Sequence, residues 1–386
     1  MVLDMTYKTT KLDTFVTLQR GYDLPAQDRI QGDIPVIAAN GHVGFHNVSK
    51  VSSHCVVLGR SGSIGNPRLI TEPFWPLNTT LFVKDFHGNS PTFVYYVLKT
   101  IDFKSFDAGG TVPTLNRNHI TQIDVPLVDA AHQEVIAGIL GNLDSKIAAN
   151  EAIAKTLADI AQTIFKSWFI DFDPVKAKMA GQEPVGMDAE AAALFPDSME
   201  KSDLGDIPSG WETTTVEEFS PFVYGKSLPA GVRVAGGIPV YGSNGIVGSH
   251  DASLIASPTV VVGRKGTVGT VHLEMSPSWI IDTAFYTNLA ADNIFLAYLS
   301  LRSLRLDSMN SDAAVPGLNR DNAHRLRLTI ATPSIRFEFT KLMKPIFELR
   351  HQLLKQSETL GQVRDSLLPR IMSGELEIPD DMLTAS

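Results

Sequence analysis

Two stretches of the chain carry apolar residues that step alternately by four and three. The first is Ile136, Leu140, Leu143, Ile147, Asn150, Ala154, Leu157, Ala161, Ile164 and Trp168; the second is Phe339, Leu342, Ile346, Leu349, Leu353, Gln356, Leu360, Val363 and Leu367. A 3.5-residue period held over four heptads predicts coiled-coil helix. Proline inside a helix costs ~3 kcal/mol, so Pro345 predicts a bend or a restart in the second. Each seam holds one amide, Asn150 and Gln356. An antiparallel register that faces them also sets Leu143 on Val363, Ile147 on Leu360, Leu157 on Leu349 and Ile164 on Leu342. Two amides buried together satisfy each other, whereas each against leucine would cost roughly 1–3 kcal/mol. A parallel pairing also matches polar with polar, so register alone leaves direction open.

Short β-like apolar runs lie ahead of each seam, at 34–38 and 55–58 in one body and 260–262 in the other, broken by Asn-Gly and glycine turns. Helix-like runs follow at 91–101 and 292–304. These bodies are copies. IPVIAANGHVGFHN (34–47) lies over IPVYGSNGIVGSHD (238–251) at an offset of 204, and VVLGRSGSIG (56–65) over VVVGRKGTVG (260–269). Gly21, Leu24, Pro25, Trp75 and Thr79 recur as Gly225, Leu228, Pro229, Trp279 and Thr283. The offset slips to 203 where VPTLNR (112–117) meets VPGLNR (315–320). Five blocks in one order make a domain duplication, not a solenoid of short units.

The expected fold class is α+β: two repeated mixed bodies joined by an antiparallel pair of long helices, pseudo-two-fold. The expected boundaries are 1–132 for the first body, 133–170 for its helix, 171–210 for a linker, 211–332 for the second body, 333–378 for its helix and 379–386 for a tail. A chain of 386 residues with 44% hydrophobic and 19% charged content is globular. It has no apolar run near membrane length and no leader pattern, so the expected location is the cytoplasm. The single cysteine, Cys55, excludes a disulfide framework and any multi-cysteine metal site. A net charge of −9 argues against nucleic acid only until it is placed. Segment 171–210 holds 3 basic and 9 acidic residues, while the bodies hold 11 and 11 (1–132) and 9 and 10 (211–332). Two near-neutral bodies need only local basic patches to hold phosphate.

GRSGSIG and GRKGTVG space their glycines by three, matching neither a dinucleotide fingerprint nor a phosphate-binding loop with a terminal Lys-Ser/Thr. They read as glycine hairpins, and equally as bare backbone that brings Arg60 and Arg264 to a phosphate. His42 and His46 have i, i+4 spacing, but they lie in a glycine-containing turn region and His42 becomes Ile246 in the second copy, so no metal is expected. There is no Asn/Asp-Pro-Pro-aromatic tetrapeptide of an adenine methyltransferase and no Gly-x-Ser-x-Gly elbow. Pro196, Asp197, Glu200 and Lys201 have the wrong spacing for a nuclease and read as solvated linker. No catalytic residue is expected. Duplicated bodies on a rigid spacer suit a bipartite recognition device, matched to the approximate two-fold of duplex DNA.

Residues 157–198 (LADIAQTIFKSWFIDFDPVKAKMAGQEPVGMDAEAAALFPDS) closely resemble the central region of specificity subunits of type I restriction–modification systems. SDLGDIPSGWETTTVEEF (202–219) resembles the start of their second recognition domain, and RDSLLPRIMSGEL (364–376) their distal region. The resemblance implies a non-catalytic subunit that reads a split double-stranded DNA target, one half per body, and docks two methyltransferase subunits and motor-nuclease restriction subunits. It implies no cofactor on this chain, with S-adenosylmethionine, ATP and Mg on the partners. The alternatives are a stand-alone bipartite DNA-binding regulator or architectural protein, and a scaffold that touches only protein. Repeated positions (Asn40, Asn244, Arg60, Arg264) are expected to serve the DNA backbone or the fold, with Ser243 beside the second turn. Divergent ones are expected to read bases: His42 against Ile246, Ser61 against Lys265, and Arg20 and Tyr22 against Tyr224 and Lys226. Asn40 and Asn244 serve equally well as turn residues with positive φ. At ~1.5 Å per residue, 136–168 spans roughly 48 Å, about 14 base pairs, which predicts a gap of roughly 9–11 unspecified pairs.

Overall fold

A computed structural model of the chain describes residues 8–107, 109, 111–289, 291–309, 317–376 and 378. Residues 1–7, 315–316 of the VPGLNR block and the expected tail at 379–386 lie outside these. The chain forms two compact units, Met1–Ala149 with Gln356–Ser386, and Asn150–Lys355.

In the first unit, strand Lys8–Lys11 pairs antiparallel with Asp124–Leu127. A four-stranded antiparallel sheet runs in the order Thr17–Arg20, Thr80–Asp85, Cys55–Gly59, Gly65–Ile70. A three-stranded sheet sets Gly41–His46 and Trp75–Pro76 on either side of Ile34–Ala38, the last pair parallel. Every residue of Cys55–Gly59 is buried, as a short unbroken apolar run predicts. Helix Pro91–Lys99 starts with proline at its first turn and packs Phe93, Val94, Tyr96, Val97 and Leu98 into the core.

The second unit repeats this strand by strand. Its four-stranded sheet is Phe222–Tyr224, Ala284–Thr287, Thr259–Gly263, Val271–Glu274, and its three-stranded sheet is Gly245–His250, Ile238–Gly242, Trp279–Ile280. The two long helices, Ala130–Phe169 and Pro333–Met372, have 40 residues each and keep the 203 offset from end to end. They pack together within each unit: Ile136 and Leu140 share a core with Leu368 and Ile371, and Phe165 and Trp168 share one with Phe339 and Phe347. Among the described residues no helix is long and apolar enough to cross a membrane.

Three expectations need correction. The second helix does not restart at Pro345 but runs through it as one helix. A proline forfeits one backbone bond, and here its neighbours Met343 and Phe347 are both buried in the core, which offsets that loss. The seam of this helix is also rotated by about one position. Leu342 and Leu349 are exposed (37% and 45%), while Met343 and Phe347 are buried. An α-helix of 3.6 residues per turn drifts off a strict heptad, and here the globular body claims the face on which Phe347 sits.

Segment 171–210, expected to be an open linker, is folded. It holds helices Asp173–Met179 and Ala189–Leu194 and the hairpin Met199–Ser202 with Gly205–Pro208. Asp188 caps the second helix by accepting from the Ala191 N–H at 2.7 Å. Val175, Phe195 and Ile207 are buried, and Phe195 meets Trp168 edge-on at 5.1 Å. Elements of four to seven residues show no period, so their few apolar anchors are hidden among prolines, glycines and acids.

Candidate nucleic-acid interface

Three of the repeated blocks meet at one end of the two central strands of each four-stranded sheet. In the first copy Thr79 organises them: its hydroxyl accepts from the Ala39 N–H at 3.2 Å, and its carbonyl accepts from the Arg60 and Ser61 N–H groups at 2.8 and 3.1 Å. The Arg60 carbonyl accepts from Leu115 at 2.8 Å, which brings in the VPTLNR block. The second copy reproduces this: Arg264 and Lys265 donate to the Thr283 carbonyl at 2.9 and 3.0 Å, and Leu318 donates to Arg264 at 2.8 Å. Asn116 and Asn319 each cap the short helix that follows. Arg60 Nη1 donates to the Asn78 carbonyl at 3.2 Å and Arg264 Nη1 to the Asp282 carbonyl at 2.9 Å, so each guanidinium is oriented by one of its terminal nitrogens.

The spacing of three glycines now has a physical cause. A Cβ on Gly59 would lie 1.7 Å from the Ser63 carbonyl oxygen, and one on Gly263 2.3 Å from that of Thr267. The next two glycines in each loop have positive φ: Gly62 and Gly65 at 84° and 74°, Gly266 and Gly269 at 81° and 73°. One glycine permits close approach and two permit the turn.

At the Asn-Gly turns, positive φ belongs to Gly41 (124°) and Gly245 (101°), while Asn40 and Asn244 are not in that region. The turn geometry therefore does not require asparagine, and both side chains are exposed. Thr270 ties this turn to the glycine loop of the second copy by donating to the Ser243 carbonyl. His46 and His250 are structural: Nδ1 accepts from the Ile30 and Val234 N–H groups, each at 3.1 Å, and the rings meet Trp75 and Trp279 edge-on. His42, with no such anchor, lies exposed against Phe45 at 4.6 Å, where the second copy exposes Ile246.

Residues 5–158 match the type I restriction modification DNA specificity domain. The chain is 27% identical over 337 residues to the type I restriction enzyme HindI specificity subunit of Haemophilus influenzae, covering 69% of this chain and 72% of that one. It is 25% identical over 314 residues to the MjaIX specificity subunit of Methanocaldococcus jannaschii, covering 75% and 69%. Over about seven-tenths of its length the chain is thus similar to type I specificity subunits. The crystal structure of a type I restriction–modification S subunit from M. genitalium shares the fold, with a TM-score of 0.64 over 98% of both chains at 16% identity.

Within this shared scaffold the two copies differ beside the repeated arginines. In the first, Arg20, Arg60 and Arg117 line one cleft of about 380 Å³. In the second, Tyr224 replaces Arg20, and the Arg264 and Arg320 guanidiniums both stand over its ring, at 4.9 and 5.0 Å. Tyr22 packs on Trp75 and Phe82 and accepts from Gln19 Nε2 at 3.0 Å, while its counterpart Lys226 is exposed. A cation stands over the repeated tryptophan in both copies, from different positions: Lys50 over Trp75 at 4.9 Å, Lys226 over Trp279 at 5.9 Å. Arg117, Arg320 and Lys50 were not among the sequence candidates. The final arginine of the repeated LNR motif was the available signal for the first two. Lys50 had none, because Leu254 occupies its repeat position.

Proposed function

We propose that this chain is the DNA-recognition subunit of a type I restriction–modification complex, reading a bipartite double-stranded target with one half-site per copy. One observation carries the reading: the same end of the central strands is built twice by the same backbone hydrogen bonds, and the side chains around it differ between copies. A constant frame with variable side chains is what two different half-sequences on one duplex require. Arg60 and Arg264 serve the DNA backbone. His42 with Ile246, Ser61 with Lys265, and Tyr22 with Lys226 supply the differences that reach bases, and Asn40, Ser243 and Asn244 frame them. The chain itself is non-catalytic. Methyltransferase subunits dock on it and bring S-adenosylmethionine, and restriction subunits bring ATP and magnesium.

The test is to co-purify the chain with a type I methyltransferase subunit and map the methylated sites on a random DNA library. Two unlike half-sequences separated by a fixed, unspecified gap are expected. A contiguous site, or tight specific binding by the chain alone without a partner, would favour a stand-alone regulator instead.

A further inference from the structure

The three-arginine cleft of the first copy has no equivalent in the second, and its chemistry asks for an occupant. Arg60 and Arg117 are each held by one nitrogen, Arg60 to the Asn78 carbonyl and Arg117 Nη1 to the Leu18 carbonyl at 3.1 Å. Among the described residues neither has a carboxylate within salt-bridge distance. Arg20 faces Asp23 at 3.8 Å, and Asp23 also accepts from Asn78. Three guanidiniums thus share one concavity with a single, already engaged carboxylate at its margin. Like charges so placed repel unless an anion lies among them, and planar guanidiniums suit the oxygens of a phosphate. In the second copy the corresponding cations instead stand over the Tyr224 ring, a cation–π arrangement that needs no anion.

We infer that the first copy's cleft is an oxyanion site made by Arg20, Arg60 and Arg117, filled by a DNA backbone phosphate, and that Tyr224 has closed the equivalent site in the second copy. The identity of the phosphate rests on the DNA-recognition reading above; the existence of the anion site does not. Arg20, expected from its divergence to read a base, is reassigned to the backbone. The two copies therefore share out the electrostatic contact with DNA unequally.

The probe is inorganic pyrophosphate, titrated at low salt into the full-length chain and followed by calorimetry. Wild type should bind saturably at one site. Arg20→Gln and Arg117→Gln should each weaken this by about tenfold, the scale of a lost charge-assisted bond. Arg320→Gln should leave it unchanged, and Tyr224→Arg should add a second site. Because Arg117 also holds a backbone carbonyl, exposed Arg20 is the variant whose loss misfolding does not explain; its thermal melt should match wild type. No binding by wild type, or an equal loss from Arg320→Gln, would overturn the site. Duplex DNA then separates the two claims. In complex with the methyltransferase subunit, Arg20→Gln should lower the slope of log K against log salt by about 0.9, one phosphate contact. Pyrophosphate binding without any duplex binding sinks the functional reading and leaves the cleft standing. A lost pyrophosphate site with an unchanged salt slope places the cleft off the DNA track and sinks the phosphate assignment.

Discussion

Asp144 in the first long helix and Phe347 in the second stand at the same position of the repeat, and each ties its helix to the short helix of its own body by opposite chemistry. In the first unit Tyr96 Oη donates to Asp144 Oδ2 at 2.7 Å, and Arg364 pairs with the other carboxylate oxygen. Burial first, and then the bond to Asp144, push the Tyr96 phenol far above its usual range. In the second unit Phe347 stacks on Phe295 at 5.0 Å and 3°, and meets Tyr298 edge-on at 5.6 Å. The fold needs a tie at this point and accepts either kind. The two should fail differently, because an aromatic tie depends on volume and a polar one on keeping every partner.

The largest effect is expected on the aromatic side. Phe347→Ala should destabilise by about 3–5 kcal/mol, since a large buried ring leaves a cavity the stack cannot close. Denaturant unfolding checks it, and Phe347→Leu should recover a good part. On the polar side Asp144→Ala should cost about 1–3 kcal/mol, because it strands the buried Tyr96 hydroxyl and removes one of the two carboxylates that pair with Arg364. Combining it with Tyr96→Phe should cost less than the sum of the two single changes. Strict additivity in that cycle would mean the hydrogen bond contributes nothing, and the two ties would then differ only in volume.

Much of this was legible in the chain. The repeat, the buried strand at 55–58, the helices near 91–101 and 292–304 and both long helices follow from period and self-similarity. What misled was treating each seam alone. Carrying the 203 offset into the helices pairs Leu140 with Met343 and Asp144 with Phe347, and so selects the buried face; the heptad count instead selected Leu342 and Leu349. The folded 171–210 segment was unreadable because Phe195 and Ile207 carry meaning only against Trp168 and its neighbours. The site was half legible. The glycine loops and their arginines were found by repetition, but the Arg20 cleft depends on Arg117, nearly a hundred residues away, and only folding brings the two together.

A smaller effect separates the copies by pH. His324 is buried, and Nε2 accepts from the Phe222 N–H at 2.8 Å, which requires the neutral ring. Burial, against the pull of Glu217, holds its pKa below the ordinary value. A depressed folded value means the stabilisation is complete above the unfolded pKa, near 6.5, and is lost as pH falls toward the folded one. Thr121 occupies this place in the first copy, so His324→Asn alone should flatten the loss of stability between about pH 7 and 5. A slope unchanged in that variant would assign the titration elsewhere.

The smallest effect is expected where the copies have solved one problem with two atoms. Cys55 Sγ donates to the Val83 carbonyl at 3.3 Å, and at the repeat position Thr259 Oγ1 donates to the Thr287 carbonyl at 2.7 Å. The two acceptors are themselves 204 residues apart, so the sheet presents the same carbonyl to both side chains. Cys55→Thr should therefore change stability by less than about 1 kcal/mol, with the shorter, stronger hydroxyl bond offsetting the extra methyl in a full core. Cys55→Val, which fills the space without a donor, should be the less stable of the two. Burial pushes the Cys55 thiol up to about 12, so the native protein should resist iodoacetamide at pH 8.5 while the unfolded chain reacts. If Cys55→Val matched Cys55→Thr, the shared carbonyl contact would be incidental, and this pair of positions would be alike only in size.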